Sequence, residues 1–442
     1  NNEYIGLNLL YLRKFNQTGH ELLFTGFYST SDGLDKETLV EYPTDQYWER
    51  GPGSSSQRSF EDDERNQLRL KLDYTLPLNG DARLEAGYQM RKDFGSATFD
   101  LEKYDTTSNE WYELTELHNS TDYDRNIQAA YATFSDNLWG FEYMLGLRGE
   151  YTYRTIAQNV LNEDYTIDRF DYFPSVHLTR KLPFQQQLQA SYSRKINRPR
   201  EWYLDPFPNY MDPYNIRMGN PELEPEYINS FELNYIKRFK GVMASIETYY
   251  RETQNKINRI MSVVDNNIMM HTFDNINRDY ATGVELMVNA EPWKWWQVNL
   301  LGNYFNYQIE GELLETEVNQ ATNTWNLRFN STFKLKTNTR VQLSLYYNAP
   351  SVTAQGERDD FLMTSAGIRQ SFLKNKLNVS VNVRDLFQTM QHSFTSRGDQ
   401  FVSYMEFNPH TPRFMVNLSY KINNYKRNHS NLIDVDTESG EG

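Results

Sequence analysis

Aromatic and guanidinium side chains crowd one stretch of this chain. Between Arg198 and Arg217 stand Arg200, Trp202, Tyr203, Tyr210 and Tyr214. A second cluster, Trp111 and Tyr112, lies upstream, with Tyr47 and Trp48 further back. Flat rings with donors beside them can stack on a sugar face or on a planar chelate. Arg198, Arg200 and Arg217 can clamp an anion, because a guanidinium offers a planar fork of donors. The same residues have a plainer use. The rings can pack loops against one another, and the arginines can pair with Asp205, Asp212, Glu222 or Glu224. The candidate ligand-binding set is therefore Trp202, Tyr203, Tyr210, Tyr214, Arg217, Trp111 and Tyr112.

Catalytic chemistry has no comparable set. No G-x-S-x-G elbow, phosphate-binding loop or G-x-G-x-x-G run occurs in the sequence. The seven His show neither H-E-x-x-H nor paired metal spacing. The acidic run Glu61-Asp62-Asp63-Glu64 offers clustered oxygens of the kind Ca²⁺ prefers, but without EF-hand spacing it reads as a solvated loop. The N-x-[ST] sites, Asn119 and Asn330 among them, need no functional reading. The expectation is no enzyme, no cofactor and no bound metal.

The elements that must position the aromatic stretch are strands. In Gln187–Ser193, Leu188, Ala190 and Tyr192 alternate with Gln187, Gln189, Ser191 and Ser193. In Ser230–Phe239, Phe231, Leu233 and Tyr235 alternate with Ser230, Glu232 and Asn234. Period-two alternation describes a strand with one apolar face. The opposite face carries carboxylates, amides and guanidinium groups, too polar for a dry core. Lipid outside and water inside satisfy both faces, which describes a transmembrane β-barrel. A sandwich of this size would need dry inner faces on both sheets.

The pattern recurs along the chain. Leu145, Leu147, Tyr151 and Tyr153 interleave with Arg148, Glu150, Thr152 and Arg154. Trp325, Leu327, Phe329 and Phe333 interleave with Asn326, Arg328, Asn330 and Thr332, and the last such strand runs from Phe414 to Ile422. Reversals rich in Gly, Pro, Asn and Asp fall near Asn16–Gly19, Leu78–Asp81, Asp136–Gly140, Pro183–Gln186, Lys240-Gly241, Pro292–Trp296, Thr337–Thr339 and Lys374–Lys376. Between them lie longer segments, read as external loops: Ser31–Glu64, Gly95–Thr121, Ile156–Ile167, Asn197–Ile228, Gln254–Phe273, Gly311–Asn323, Ala349–Asp359 and Gln388–Thr411. Short turns on one side and long loops on the other fit an outer-membrane barrel. Trp139, Trp293, Trp295 and Trp296 sit at short turns, where amphipathic rings would form a girdle at headgroup level. The count is about 17 strands, and the first and last run the same way, so the wall is expected to lack part of its circumference.

One stretch carries a family resemblance. Tyr192-Ser193-Arg194 with Arg198-Pro199 is followed by Gly219-Asn220-Pro221-Glu222-Leu223-Glu224-Pro225-Glu226, then by Glu232 and Tyr235. This resembles the barrel signature of TonB-dependent receptors, and most of all the outer-membrane β-barrel family of Bacteroidota. The motif residues Arg198, Pro199, Gly219, Asn220, Pro221, Leu223, Pro225, Glu226 and Glu232 are read as architectural, since both prolines fix φ and hold the preceding residue extended. The resemblance implies 22 strands with an N-terminal plug, so about five strands and the plug would lie upstream. It also implies a TonB-type energy-coupling protein acting through that region, a possible surface lipoprotein partner, and uptake of a siderophore, glycan or peptide.

Composition bounds the rest. The chain has 442 residues and no Cys, with 32 Tyr, 8 Trp and an aromatic content of 15%. Mean hydropathy is −0.77. Low hydropathy with many aromatics suits strands that are each half polar, whereas disordered chains lack aromatics. No run approaches the ~20 apolar residues of a membrane helix. A net charge of −14 argues against a nucleic-acid partner. The expected organisation is an outer-membrane barrel over 1–422, contacting lipid, and a flexible periplasmic tail over 423–442. No signal peptide is visible, so the natural N-terminus is expected upstream. The alternatives are a non-transporting barrel serving as scaffold or adhesin, and a secreted carbohydrate-binding β-protein.

Overall fold

The computed structural model describes residues 2–16, 19–212, 214–264, 268–314, 316–335 and 338–423. The expected tail, 423–442, lies almost wholly outside them, as do parts of the turns at Asn16–Gly19 and Thr337–Thr339. The chain opens with β1 (Asn2–Lys14), β2 (Glu21–Glu41), β3 (Ser55–Pro77), β4 (Arg83–Asp105) and a short β5 (Glu110–Glu113). Next come β6 (Asn119–Leu138), β7 (Phe141–Gln158), β8 (Glu163–Leu182), β9 (Gln186–Asn197), β10 (Asn209–Asp212) and β11 (Asn215–Arg217). Then follow β12 (Glu226–Phe239), β13 (Val242–Val264), β14 (Ile268–Trp293), β15 (Trp296–Leu313), β16 (Thr316–Leu335) and β17 (Thr339–Asn348). The chain closes with β18 (Ser351–Thr353), β19 (Gly356–Arg358), β20 (Phe361–Phe372), β21 (Leu377–Arg384), β22 (His392–Gly398), β23 (Phe401–Phe407) and β24 (Arg413–Tyr420).

Twenty strands among the described residues form one sheet. Three of them, β5, β10 and β11, are loop hairpin strands, which leaves the expected seventeen in the wall. Each wall strand pairs antiparallel with the next in the chain, β4 with β6 and β9 with β12. Among the described residues β1 pairs with β2 alone and β24 with β21 alone, so the wall has two free edges. Every residue of β24 is exposed, as are nearly all of β1.

Burial is inverted relative to a soluble protein. Phe170 and Tyr172 on β8 are 68% and 57% exposed, while the intervening Asp171 is 7% exposed. On β7, Leu147 is 58% exposed and Glu150 only 6%. Apolar side chains face out and ionic ones face in, the arrangement a lipid-embedded wall around a polar lumen requires. At the short turns Trp293 stacks on Trp295 at 5.6 Å and on Trp296 at 5.4 Å, and Trp139 is almost fully exposed.

The structure corrects most of the external loops. β2 and β3 stay paired up to Glu41↔Ser55, so Ser31–Glu64 is mainly strand. β13 and β14 stay paired up to Val264↔Ile268, β7 and β8 up to Gln158↔Glu163, and β15 and β16 up to Leu313↔Thr316. Gly95–Thr121 likewise holds the ends of β4 and β6 and the β5 strand. Crossing a membrane takes about 10 tilted residues, yet β3 has 23. The surplus stands in water. A strand wetted on both faces loses its apolar alternation, although the backbone ladder continues. Glu61–Glu64 therefore lies on β3, paired with β2 and β4, and not in a loop. Ala349–Asp359 and Gln388–Thr411 also carry strands, which form a separate sheet in the order β18-β19-β22-β23.

Candidate ligand-binding site

The long connection between β9 and β12 remains a true loop. It descends from β9 at Arg198-Pro199, makes the β10–β11 hairpin, and returns through the Asn-Pro run to β12. The hairpin is fastened to the wall by parallel pairing of Asn215, Ile216 and Arg217 with Met269, Met270 and His271 at the outer end of β14. Beneath it Ile156, Leu204, Leu223 and Phe273 form a buried apolar cluster, joined by Tyr123, Tyr165, Tyr203 and Ile257. A second cluster, Ile260, Ile276, Ile309, Leu313, Val318 and Ala354, holds the outer ends of β13 to β16 together. Above the membrane the protein thus packs like a water-soluble one, with apolar side chains inside.

The returning run is held at nearly every residue. Gly219 N–H donates to the Asp205 carbonyl at 2.7 Å, and Asn220 N–H to the Tyr203 carbonyl at 2.6 Å. The Asn220 side chain donates to the Phe273 carbonyl and accepts from Glu222 N–H. Leu223 is fully buried. The Glu224 carboxylate accepts from the Asn255 side-chain amide at 2.7 Å, its backbone carbonyl accepts from the Asn275 side-chain amide at 3.0 Å, and its N–H donates to Asn275 Oδ1 at 2.8 Å. Glu226 accepts from Asn197 at 2.7 Å and from Ile257 N–H at 2.9 Å, and pairs with Lys256 at 3.0 Å. Lower on β12, Glu232 accepts from Ser230 and Ser191. The bonds from Asn220, Glu224 and Glu226 to Phe273, Asn275, Asn255, Lys256 and Ile257 tie the run to β13 and β14 of the wall.

Between the loop and the inner faces of β3, β4 and β6 lies a cavity of about 400 Å³. The wall contributes Glu61, Asp63, Arg65, Arg91, Asp93, Tyr123 and Arg125, and the loop contributes Arg198, Arg200, Glu201, Trp202, Asp205 and Arg217. Arg125 donates to Asp93 at 2.8 Å, and Arg91 to the same carboxylate at 2.9 Å. Arg217 lies over the Trp202 ring, 5.2 Å from its centroid. Asp205 is committed to Asn119 at 2.9 Å and to Phe207 N–H. The lining can thus present one half-exposed indole, a guanidinium stacked on it, and charges of both signs.

Of the seven predicted ligand residues, Trp202 and Arg217 line this cavity. Tyr203 does not: it stacks on Phe273 at 3.9 Å, inside the loop's own core. Tyr210 stands on β10 and Tyr214 at the hairpin tip, highly exposed. Trp111 and Tyr112 belong to β5, where the Arg58 guanidinium covers Trp111 at 4.4 Å. Arg198 is drawn to a partner that the sequence did not suggest. It donates to Glu150 on β7 at 2.5 Å instead of to an acid of its own loop. The structure also gathers Asp100, Glu113 and His118, with His118 Nδ1 2.6 Å from an Asp100 oxygen. No spacing rule finds these three, because β4, β5 and the turn before β6 bring them together only in the fold.

An antiparallel wall with an apolar exterior and an ion-paired interior defines a transmembrane β-barrel. The chain belongs to the outer membrane protein beta-barrel family, whose model matches residues 13–420. The protein is therefore a barrel of the bacterial outer membrane, which removes the secreted alternative. No curated protein sequence matches it. Among solved structures the chain is similar to the copper transporter OprC, with a TM-score of 0.65 and 13% identity over 89% of this chain and 60% of that one. It is similar to the ferric-catecholate import receptor Fiu from K12 E. coli, with a TM-score of 0.61 and 12% identity over 94% of this chain and 63% of that one. It is also similar to the ferric yersiniabactin uptake receptor FyuA from Yersinia pestis, with a TM-score of 0.59 and 11% identity over 92% of this chain and 59% of that one. The chain spans about three fifths of the length of these structures, and at such identities the likeness is one of fold.

Proposed function

We propose that the protein is the barrel wall of a TonB-dependent importer, taking up a scarce ligand such as a siderophore, glycan or peptide. The single observation that carries this reading is the roofed, charged cavity inside an outer-membrane barrel wall. A barrel that served only as an anchor would have no use for a loop folded in over its own lumen. Trp202 and Arg217 are assigned direct ligand contact; Tyr203 supports the loop, while Tyr210, Tyr214, Trp111 and Tyr112 form an outer rim. In this reading five further strands and a plug complete the barrel, the residues after 422 form a periplasmic tail, and the motif points to a source among Bacteroidota. A TonB-type protein supplies the energy, a surface lipoprotein is a possible partner, and the protein binds and moves its ligand without catalysis.

The experiment is growth and radiolabelled uptake with a panel of iron chelates, oligosaccharides and peptides in cells lacking the protein. Complementation restores energy-dependent accumulation of one ligand class. W202A and R217A each lower its binding at least tenfold, and Y214A leaves it nearly unchanged. Restored cell-surface adhesion without any solute accumulation would replace import by the scaffold reading.

A further inference from the structure

The wall parts at one place. β8 and β9 pair from Leu182↔Gln186 only up to Ser175↔Ser193. Beyond that level β8 continues against β7 as far as Glu163, while β9 continues against β12 as far as Asn197. In the inner mouth of this cleft a cavity of about 20 Å³ is lined by four arginines, Arg125, Arg154, Arg169 and Arg198, together with Asp171 and Thr152. Pro199 and Pro225 close it from the loop side.

Three of the arginines have carboxylate partners. Arg125 has Asp93 at 2.8 Å, Arg198 has Glu150 at 2.5 Å, and Arg169 has Asp171 at 3.4 Å. Arg154 has none. It is 5% exposed. It stands directly opposite Arg125 in the β6–β7 register, so two like charges face each other. Its one side-chain hydrogen bond among the described residues is a long contact of 3.5 Å to the Pro221 carbonyl. Its Nε has no hydrogen-bond partner among the described residues, and Arg169 Nε and Asp171 Oδ2 beside it meet only in their ion pair, without hydrogen-bond geometry. A buried guanidinium without a counter-charge is expensive, and an orphaned donor adds to the cost.

We propose that this cavity holds one small monovalent anion of halide size, chloride in the cell, bound by Arg154. The inference does not depend on the import reading. Size sets the class of ligand: about 20 Å³ fits one water-sized species and is smaller than phosphate, sulfate or a carboxylate-bearing molecule needs. Charge decides between anion and water. A water molecule would accept the Nε proton yet leave the Arg154 charge uncompensated. The anion would also tie the loop to the wall, since Pro199 and Pro225 form its lid.

The test uses the detergent-purified protein. Crystals grown in bromide in place of chloride should give an anomalous peak within hydrogen-bond distance of Arg154 Nε, and crystals of R154M should not. In solution the Tm of the wild type should rise as chloride replaces gluconate at constant ionic strength, because gluconate is too bulky for the cavity. R154M should show no difference between the two salts. A wild-type map with an ordered water and no anomalous peak overturns the proposal, as does an equal Tm in both salts. A chloride effect that persists undiminished in R154M also overturns it. If R154M fails to fold, the two wild-type measurements decide.

Discussion

Arg198, the first residue after β9, donates to the carboxylate of Glu150 on β7 at 2.5 Å, and Arg148 approaches the other oxygen of that carboxylate at 2.5 Å. Glu150 is buried, so the pair joins the loop to the inner wall where water cannot compete. Breaking a buried pair leaves an uncompensated charge and costs about 3 kcal/mol. Arg148 remains beside Glu150 in R198M, so the loss there should be smaller, about 2 kcal/mol. E150Q strands both arginines and should cost more than R198M. Thermal unfolding followed by the shift in mobility on cold SDS gels gives the order. Equal midpoints for wild type and both variants would show that the pair does not hold the loop.

Gly219 has no room for a side chain. A Cβ there would stand 2.6 Å from the Asp205 carbonyl oxygen and 2.7 Å from the Asp205 nitrogen, both backbone atoms that cannot swing aside. G219A should therefore push the returning run off Leu204 and Tyr203, and open the loop to protease. Gly302, whose Cβ would meet Leu327 Cδ1 at an ordinary 3.7 Å, is the control. Limited proteolysis on intact cells should cleave G219A within residues 197–228 and spare G302A. Like cleavage patterns in the two variants would count against the loop packing described here.

Seventeen wall strands were legible because each membrane-crossing segment must alternate between lipid and water. Leu145 to Arg154 shows both faces in ten residues. The aqueous halves of the same hairpins were not legible. Glu61, Asp62, Asp63 and Glu64 are all acidic, so no alternation survives, yet their backbones pair on both sides with β2 and β4. The site was half legible. Trp202 and Arg217 announce themselves by type and reach the cavity. Tyr203 is of the same type, but its ring is taken by Phe273, 70 residues further along the chain. Glu150 looked like one more lumen-facing acid. Its pairing with Arg198 depends on where a folded loop comes down, which local spacing cannot report.

Asp385 follows β21 and is fully buried. One carboxylate oxygen accepts from Thr389 N–H at 3.0 Å, and the other from Met390 N–H at 3.0 Å. The Thr389 hydroxyl also donates to the Leu362 carbonyl at 2.9 Å. These bonds fold residues 385–390 back toward β20, next to the free-edged β24. D385A removes an anionic acceptor from two partly buried backbone donors and should cost about 2 kcal/mol. D385N keeps one acceptor but turns an amide donor toward a backbone N–H, so it should recover little. Midpoints of urea unfolding in detergent check this. A D385N protein as stable as the wild type would mean that the carboxylate charge has no structural part.

His271 joins the loop hairpin to β14 and is 4% exposed. Arg259 can only donate, so His271 Nδ1 accepts from it at 3.2 Å, and Nε2 carries the proton toward the Asn215 side-chain oxygen at 3.1 Å. Burial pushes the imidazole pKa down, the Arg259 charge pushes it further, and Asp212 opposes them without prevailing. The docked loop therefore holds neutral His271, while the undocked form titrates near the ordinary value of about 6.5. Above that pH neither form binds a proton, and docking is at full strength. As pH falls below it, the undocked form takes up the proton first, and docking weakens by up to about 1.4 kcal/mol per pH unit until the docked form titrates too. Hydrogen exchange of the paired amides in Asn215–Arg217 and Met269–His271, corrected for intrinsic rates, should show protection falling from pH 7.5 to pH 5.5. H271Q keeps a neutral side chain at both values, so its protection should not change with pH. Wild-type protection that stays level across this range would rule out His271 as the titrating group.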